Sequence, residues 1–318
     1  MRNRFINICH NPRFSIWPWG NSGFQGVIST TNYGKSAARW FVQTSNTTPS
    51  DVVTISKNTN ADTTKYDNWL QNAPNMTINV ASVATNSTMR VRQFCEAGSA
   101  FGQSIVAMTV IASGPNGSSF YYGVGDNYAK LTTLGDDASG DPILVTETEF
   151  FAFDDPSKEY LSVTPFETPS SNGVYRLHYV QAEVLMDPTK VSDFEIRPDW
   201  FEWDIMARYI TPIRQGMLGT GRSANTIAIP VVAPPGGWKK APSIPDEGKS
   251  LSSNVVLNSA TSTIISIPTP SYAVSSIPLS NNLGCVVLLG NASSFTQGSQ
   301  YVIGPETTPI CYLNSDYF

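Results

Sequence analysis

Between Phe24 and about Thr168 the chain breaks into short apolar or alternating runs of strand length, recurring about every ten residues and separated by Gly, Pro, Asn, Asp and Ser. "ARWFVQTS", "DVVTISK", "MTINVAS", "STMRVRQFCE", "SIVAMTVIAS", "SSFYYGVGD" and "PILVTETEFFAF" are the clearest. "MTINVAS" and "STMRVRQF" alternate strictly, as strands do with one face buried and the other wet. "SIVAMTVIAS" is nearly continuous, which suits a central strand, and the "GPNGSS" that follows is a turn. The longest β-like run is residues 173–187, "GVYRLHYVQAEVLMD", with Val174, Leu177, Tyr179 and Val184 expected on its buried side. So many short strands predict an all-β antiparallel sandwich or barrel.

One helix interrupts this pattern. In "RPDWFEWDIMARYITPI", Trp200, Trp203, Met206 and Ala207 recur at helical spacing behind Asp199 as N-cap, predicting a short helix over 199–209 against an end of the sandwich. Beyond Gly216 the composition shifts. "GMLGTGRSAN" and "IPVVAPPGGWKKAPSIPDEG" read as a Gly/Pro-rich linker over 216–250, and 251–318 as a small β-rich C-terminal domain with almost no charge. That domain carries Val255, Val256, Leu257, Ile264, Ile265 and Val286 to Leu289, too many apolar residues for its length to bury alone. It is therefore expected to mediate assembly with other copies.

Charge excludes several partners. Only 14% of residues are charged, against roughly a quarter in ordinary domains. The net charge is −5 and the basic residues are scattered, which argues against nucleic acid. No apolar run nears the roughly 20 residues of a bilayer span, and the first residues lack the apolar core of an export signal. Cys9, Cys95, Cys285 and Cys311 are too widely spaced for a metal finger and read as free, half-buried thiols.

Binding chemistry is suggested in three places. "KYDNWLQN", residues 65–72, sets Trp69 among Asp67, Asn68 and Gln71, a ring to cover a sugar face with polar groups for its hydroxyls. In "NPRFSIWPWG", Trp19, between Pro18 and Gly20, has the looser geometry of a surface loop and reads as a second exposed ring. "GDDASGD" offers Asp136, Asp137 and Asp141 as oxygen ligands for calcium, but it lacks EF-hand spacing and reads first as an exposed acidic turn. No cofactor motif and no catalytic residue emerges. His10 and His178 lack a nucleophile motif, Tyr121 and Tyr122 read as core or cross-strand residues, and Glu147 and Glu149 lie about 7 Å apart on one strand face.

The order of certain words is more specific than any of them alone. Asn11, Phe14 and Trp17 are followed by Ala38, Arg39 and Trp40, then by Gln181, Ala182 and Glu183, by Phe194, Glu195, Arg197 and Pro198, and by Arg208 and Tyr209. Over roughly residues 7–210 this resembles the carbohydrate-binding-module-like jelly-roll virion proteins of tailed bacteriophages: tail fibres, tail tips and capsid fibre or decoration proteins. Ala182 and Ile210 depart from the family pattern, where Leu and Tyr are usual. The resemblance implies a two-sheet jelly roll over 1–215 with Trp17 and Trp40 in its core. It further implies a non-enzymatic virion protein assembled in the bacterial host cytoplasm, a homotrimer meeting other virion proteins and a host cell-surface glycan. A purely structural capsid or tail decoration protein, and a polysaccharide depolymerase or glycosidase, are the alternatives.

Overall fold

The computed structural model describes residues 7–17, 22–27, 32–35, 37, 39–45, 52–61, 65–82, 88–94, 104–153, 160–166, 172–185, 190–206, 209–213, 217–232, 254–259, 264–268, 271–275, 284–290, 295–297, 299–303 and 311–314. Trp19, Ala38, Cys95 and Arg208 lie outside them. The protein is an all-β sandwich with antiparallel sheets and, among the described residues, one helix. It divides into two compact units, Met1–Glu202 and Trp203–Phe318.

In the first unit, one sheet has the order β1 (Ser22–Val27), β4 (Val52–Thr59), β5 (Pro74–Ser82), β12 (Gly173–Leu185), β7 (Ser104–Ser113), β10 (Val145–Phe153). The facing sheet runs β2 (Asn32–Lys35), β3 (Phe41–Ser45), β6 (Thr88–Phe94), β11 (Tyr160–Phe166), β8 (Ser119–Val124), β9 (Asn127–Thr132). Except at the hairpins β2–β3, β4–β5 and β8–β9 the chain changes sheet at each connection, as in a jelly roll. Between the sheets lie Val53, Ile55, Met76, Ile78, Val110 and Leu177 on one side and Val42, Val91, Phe120, Tyr122 and Val163 on the other. β5 turns Met76, Ile78 and Val80 to the core, but Asn75 and Thr77 on its other face are buried as well where a wet face was expected, and β7 is buried on both faces from Val106 to Ser113.

Double burial of β7 has a local cause. A second apolar cluster of Tyr66, Leu70, Ile111 and Tyr179, joined by Trp69, Leu144 and Phe194, covers part of the first sheet's outer face. β12 serves both clusters because its register against β7 shifts between Leu177 and Tyr179. Before the shift Tyr175 and Leu177 face the sandwich core; after it Val180 and Ala182 do. The expected single buried side is therefore two: Leu177 faces the core, Tyr179 is buried outside it, and Val174 and Val184 are half-buried.

The opening segment takes up the edge of β12 that β5 leaves after Leu177. Ile8 N donates to Ala182 O at 2.8 Å and Val180 N to Pro12 O at 3.1 Å. The Asn7 amide completes this ladder, its Oδ1 accepting from Ala182 N and Cys9 N, both at 2.9 Å. Asn11 holds a left-handed backbone, φ 51°, which Asn tolerates. Its side chain bonds Ile16 through both amide atoms, and its N donates to Glu202 Oε2 at 2.8 Å. Phe14 packs 5.3 Å from Trp40, and the Trp17 and Trp40 indoles donate to Phe14 O and Asn11 O. Trp17 and Trp40 thus both belong to the core. Cys9 is fully buried, not half-buried. Cys285 and Cys311 fall on strands of the second unit.

Helix α1 (Asp199–Met206) starts with the Pro198 carbonyl accepting from Phe201 N and Glu202 N, so Asp199 is its first residue rather than its cap. Trp200 points to solvent, 66% exposed, while Met206 is buried. Arg197 is buried with its guanidinium 2.7 Å from Glu202 Oε1 and 3.5 Å from Glu195 Oε1, and it also donates to Cys9 O. Burial raises the Glu202 pKa, and the Arg197 charge works against that rise.

The unit boundary falls within α1, earlier than residue 215, and the expected linker is partly sheet. β14 (Leu218–Ser223) and β15 (Thr226–Val232) lie inside a seven-stranded sheet with β16 (Asn254–Ser259), β17 (Ile264–Pro268), β18 (Ser271–Ser275), β19 (Gly284–Gly290) and β20 (Gln300–Ile303). Its order is β17-β16-β20-β14-β15-β19-β18, and β13 (Ile210–Ile213) pairs separately with β21 (Cys311–Asn314). The glycines that read as linker are contact positions: a Cβ at Gly221 would sit 2.2 Å from Thr296 O, and one at Gly219 2.5 Å from an Ile227 methyl.

Two substitutions test this account. Trp40→Ala should destabilise the first unit by about 3–5 kcal/mol in urea unfolding, because the ring fills a closed site. Gly221→Ala should lower the second unit's thermal midpoint, since the obstructing atom is backbone; an unchanged midpoint would show that β14 is not packed this way.

Candidate functional site

The outer face of the first sheet carries a cleft of ≈ 360 Å³ beside the second apolar cluster. Asn58, Thr59 and Ala61 form an exposed rim at the end of β4. Tyr66 and Pro142 stand at the cleft, tied by a hydrogen bond from Tyr66 Oη to Pro142 O at 3.2 Å. Arg176 lines it half-buried, and the buried Asn60, Asn75 and His178 complete the lining.

Those buried groups bond one another. Asn60 Oδ1 accepts from Asn75 Nδ2 at 2.8 Å and lies 2.8 Å from His178 Nδ1, while Thr77 Oγ1 donates to Asn75 Oδ1 at 2.7 Å. A carbonyl oxygen only accepts, so His178 carries its proton on Nδ1 and its Nε2 accepts from Ser113 Oγ at 3.0 Å. Asn60 also pins the loop that reaches Tyr66, its Nδ2 donating to Leu70 O at 2.9 Å and its backbone N to Ala73 O at 2.8 Å. The sequence signal for this floor was present but bland: polar residues on strands and one histidine inside the longest.

Burial, and then the Arg176 charge, depress the His178 pKa to about 3. The imidazole is therefore neutral at pH 7. Ser113, His178 and Asn60 stand in the hydrogen-bond order of a hydrolase triad, but Ser113 has 0% exposure and a base that weak does not take a serine proton near neutrality. The trio works as a rigid floor.

The loop singled out in the sequence borders the cleft through a different residue. Trp69 is half-buried, its ring 5.1 Å from Tyr179 and 5.2 Å from Phe194, so it packs on the sheet instead of standing open as a platform. Asp67 and Asn68 are exposed on the turn and Gln71 Nε2 donates to Tyr66 O at 2.9 Å; none of the three lines the cleft. Tyr66 takes the aromatic place there. Trp19 falls outside the described residues.

The acidic turn is closed on itself. Asp137 Oδ1 accepts from Ser139 N at 2.7 Å and Asp141 N at 3.1 Å, and Lys65 Nζ pairs with both Asp137 and Asp141, the latter at 3.2 Å. The Lys65 hydrogen bond, first, and the turn amides hold the Asp137 pKa below its usual value. An ammonium thus sits between Asp137 and Asp141, two of the candidate calcium ligands, and Asp136 is exposed beside them. Among the described residues no cluster of His, Cys, Asp and Glu could hold a metal. Glu147 and Glu149 are exposed on β10 and do not line the cleft, and Tyr122 is buried in the core.

No protein-family model matches the sequence, and no curated protein matches it. Among solved structures, the chain is similar to the Stig cyclase Fisc from Fischerella sp. TAU, at 12% identity over 57% of this chain and 98% of that one, TM-score 0.34. It is also similar to the enzymatically active domain of bacteriophage CBA120 tailspike protein 4, at 15% identity over 57% of this chain and 22% of that one, TM-score 0.29. A third is the N-terminal CBM22-1-CBM22-2 tandem domain of Paenibacillus barcinonensis Xyn10C, at 9% identity over 93% of this chain and 97% of that one, TM-score 0.28.

The buried histidine gives a pH prediction. Its folded pKa lies below the unfolded value near 6.5, so the unfolded chain binds the proton first and stability falls as pH drops from about 6.5 towards 3. The slope from this group approaches about 1.4 kcal/mol per pH unit. Urea midpoints between pH 7 and 5 should show it in the wild type and lose it in His178→Gln, which is less stable at pH 7 but flatter. An equal slope in both would place the effect elsewhere.

Proposed function

We propose that this chain is a non-enzymatic virion protein whose first unit binds a saccharide in the cleft over β4, β5 and β12. The observation that carries this reading is the cleft's lining: amides, a hydroxyl, a guanidinium and a tyrosine ring around buried groups already fixed by one another. Sugar hydroxyls both donate and accept, and such a mixture of side chains can meet them. Its volume falls in the usual range for small-molecule sites, roughly 300–1,000 Å³. A site made on strands, with its floor locked, also loses little entropy on binding.

The absence of a usable base at His178 supports binding over turnover there. The virion setting rests on the ordered words from Asn11 to Tyr209 described above. To the second unit we assign self-association as a homotrimer, since from Leu251 to Phe318 only Glu306 and Asp316 are charged. A single shallow sugar site binds at about millimolar strength, and three linked copies would raise avidity on a repeating host polymer.

A glycan array probed with the full-length protein tests this. Discrete glycans should bind, and Ala61→Trp, which places a large ring at the exposed rim, should abolish the signal with the thermal midpoint unchanged. Binding that survives Ala61→Trp would move the site away from the cleft. No binding by the wild type, in an assembly sedimenting as a trimer, would leave a decoration subunit.

A further inference from the structure

Resting on the reading that the cleft holds a saccharide, we propose that its occupant is an acidic sugar whose carboxylate is gripped by Arg176. Three observations lead there. Among the residues that line the cleft, Arg176 carries the only formal charge, because His178 is neutral and the others are Asn, Thr, Ala, Tyr and Pro. No hydrogen bond or ion pair engages Arg176 among the described residues, although it is half-buried. The nearby acidic turn does not supply one: Asp137 and Asp141 face Lys65.

The second observation is a count of valences. Asn60 Oδ1 already accepts two hydrogen bonds, His178 donates through Nδ1 and accepts at Nε2, and one acceptor position of Asn75 Oδ1 is filled by Thr77. What these fixed groups retain is chiefly donor capacity, a second N–H on each amide, and Arg176 adds five N–H donors in a planar fork. A lining biased towards donors selects an acceptor-rich ligand group. A carboxylate has two oxygens in a plane and no proton to place, and it meets a guanidinium through two parallel bonds.

The third observation is rigidity. Arg176 is the fourth residue of β12, where its Cα is flanked by Thr77 of β5 and Ser113 of β7. Its base is fixed on both sides, so the guanidinium is presented without ordering a loop. A neutral sugar would cover that charge without answering it, whereas a uronate or similar sugar acid answers it directly.

Isothermal titration of the full-length protein provides the test, with methyl glycosides of glucuronate, galacturonate and N-acetylneuraminate set against methyl glucoside and methyl galactoside, and with sodium acetate as the bare carboxylate. At least one acidic sugar should bind tenfold or more tighter than the neutral sugars and than acetate. Arg176→Gln should abolish that preference with the thermal midpoint unchanged, and Arg176→Lys should retain part of it. Neutral sugars binding as tightly as acidic ones, a preference that survives Arg176→Gln, or acetate matching the best sugar acid would each overturn the proposal. If neutral sugars bind without preference and Ala61→Trp removes them, the saccharide reading stands and the acidic one fails. If no sugar binds, both fail.

Discussion

One extra residue in β12, at the register shift between Leu177 and Tyr179, sets what both faces of the first sheet can present. A strand without it would keep odd-numbered residues inward, sending Tyr179 into the core behind Tyr175 and Leu177 and turning Val180 and Ala182 outward. With it, Val180 and Ala182 continue the core and Tyr179 joins Trp69 and Phe194 on the outer face. His178, which faces outward in either register, lies at the step and bonds Ser113 and Asn60 to make the cleft floor. Bulges commonly re-aim side chains near binding sites, and here the bulge turns Tyr179 outward to form the apolar cover beside that floor.

The shift also bears on how the sandwich is closed. β5 accompanies β12 only to Leu177, so the next residues of β12 would present unmet backbone groups along a buried edge. Residues 7–12 meet them, with the Asn7 side chain standing in for a peptide group at Ala182. Arg197 then locks that segment by reaching Cys9 O while pairing with Glu202, whose other oxygen holds Asn11 N. A buried ion pair of this kind adds little net stability against an apolar substitute but becomes costly when one partner is removed, so its residues specify the arrangement. Asn11, Phe14, Trp17, Arg39, Trp40, Glu195 and Arg197 are buried or packed in this closure, so each of these words has a structural role in the sandwich.

Strands and sheet class were legible because both depend on local apolar patterning and turn residues: β7 follows its continuous apolar run, while Trp17 and Trp40, both inside, were placed there by the ordered words and not by alternation. The bulge was not, since a one-residue slip leaves composition untouched, and the two-sided burial of "GVYRLHYVQAEVL" hid it further. Gly219 and Gly221 misled in the opposite direction. Glycine spacing suggests a flexible linker, yet here it permits close approach of Ile227 and Thr296 to strand β14. At the site, Trp69 drew attention as a large ring among polar neighbours, but its ring has Tyr179 and Phe194 to cover, contacts that only the tertiary structure supplies. Tyr66, three residues earlier, is the aromatic residue at the cleft.

A neutral histidine under an arginine has a consequence for how such a cleft behaves across pH. Guanidinium groups stay protonated in proteins, and His178, held near a pKa of about 3, gains no charge in the range where sugar carboxylates are ionised. The electrostatic character of the lining is therefore constant from mildly acid to neutral conditions, so ligand strength need not vary with the pH of the surroundings. The same burial that achieves this makes the fold itself sensitive to acid, because the unfolded chain accepts the proton that the folded floor refuses. Constancy at the cleft and acid lability of the sandwich are thus two expressions of one desolvated imidazole.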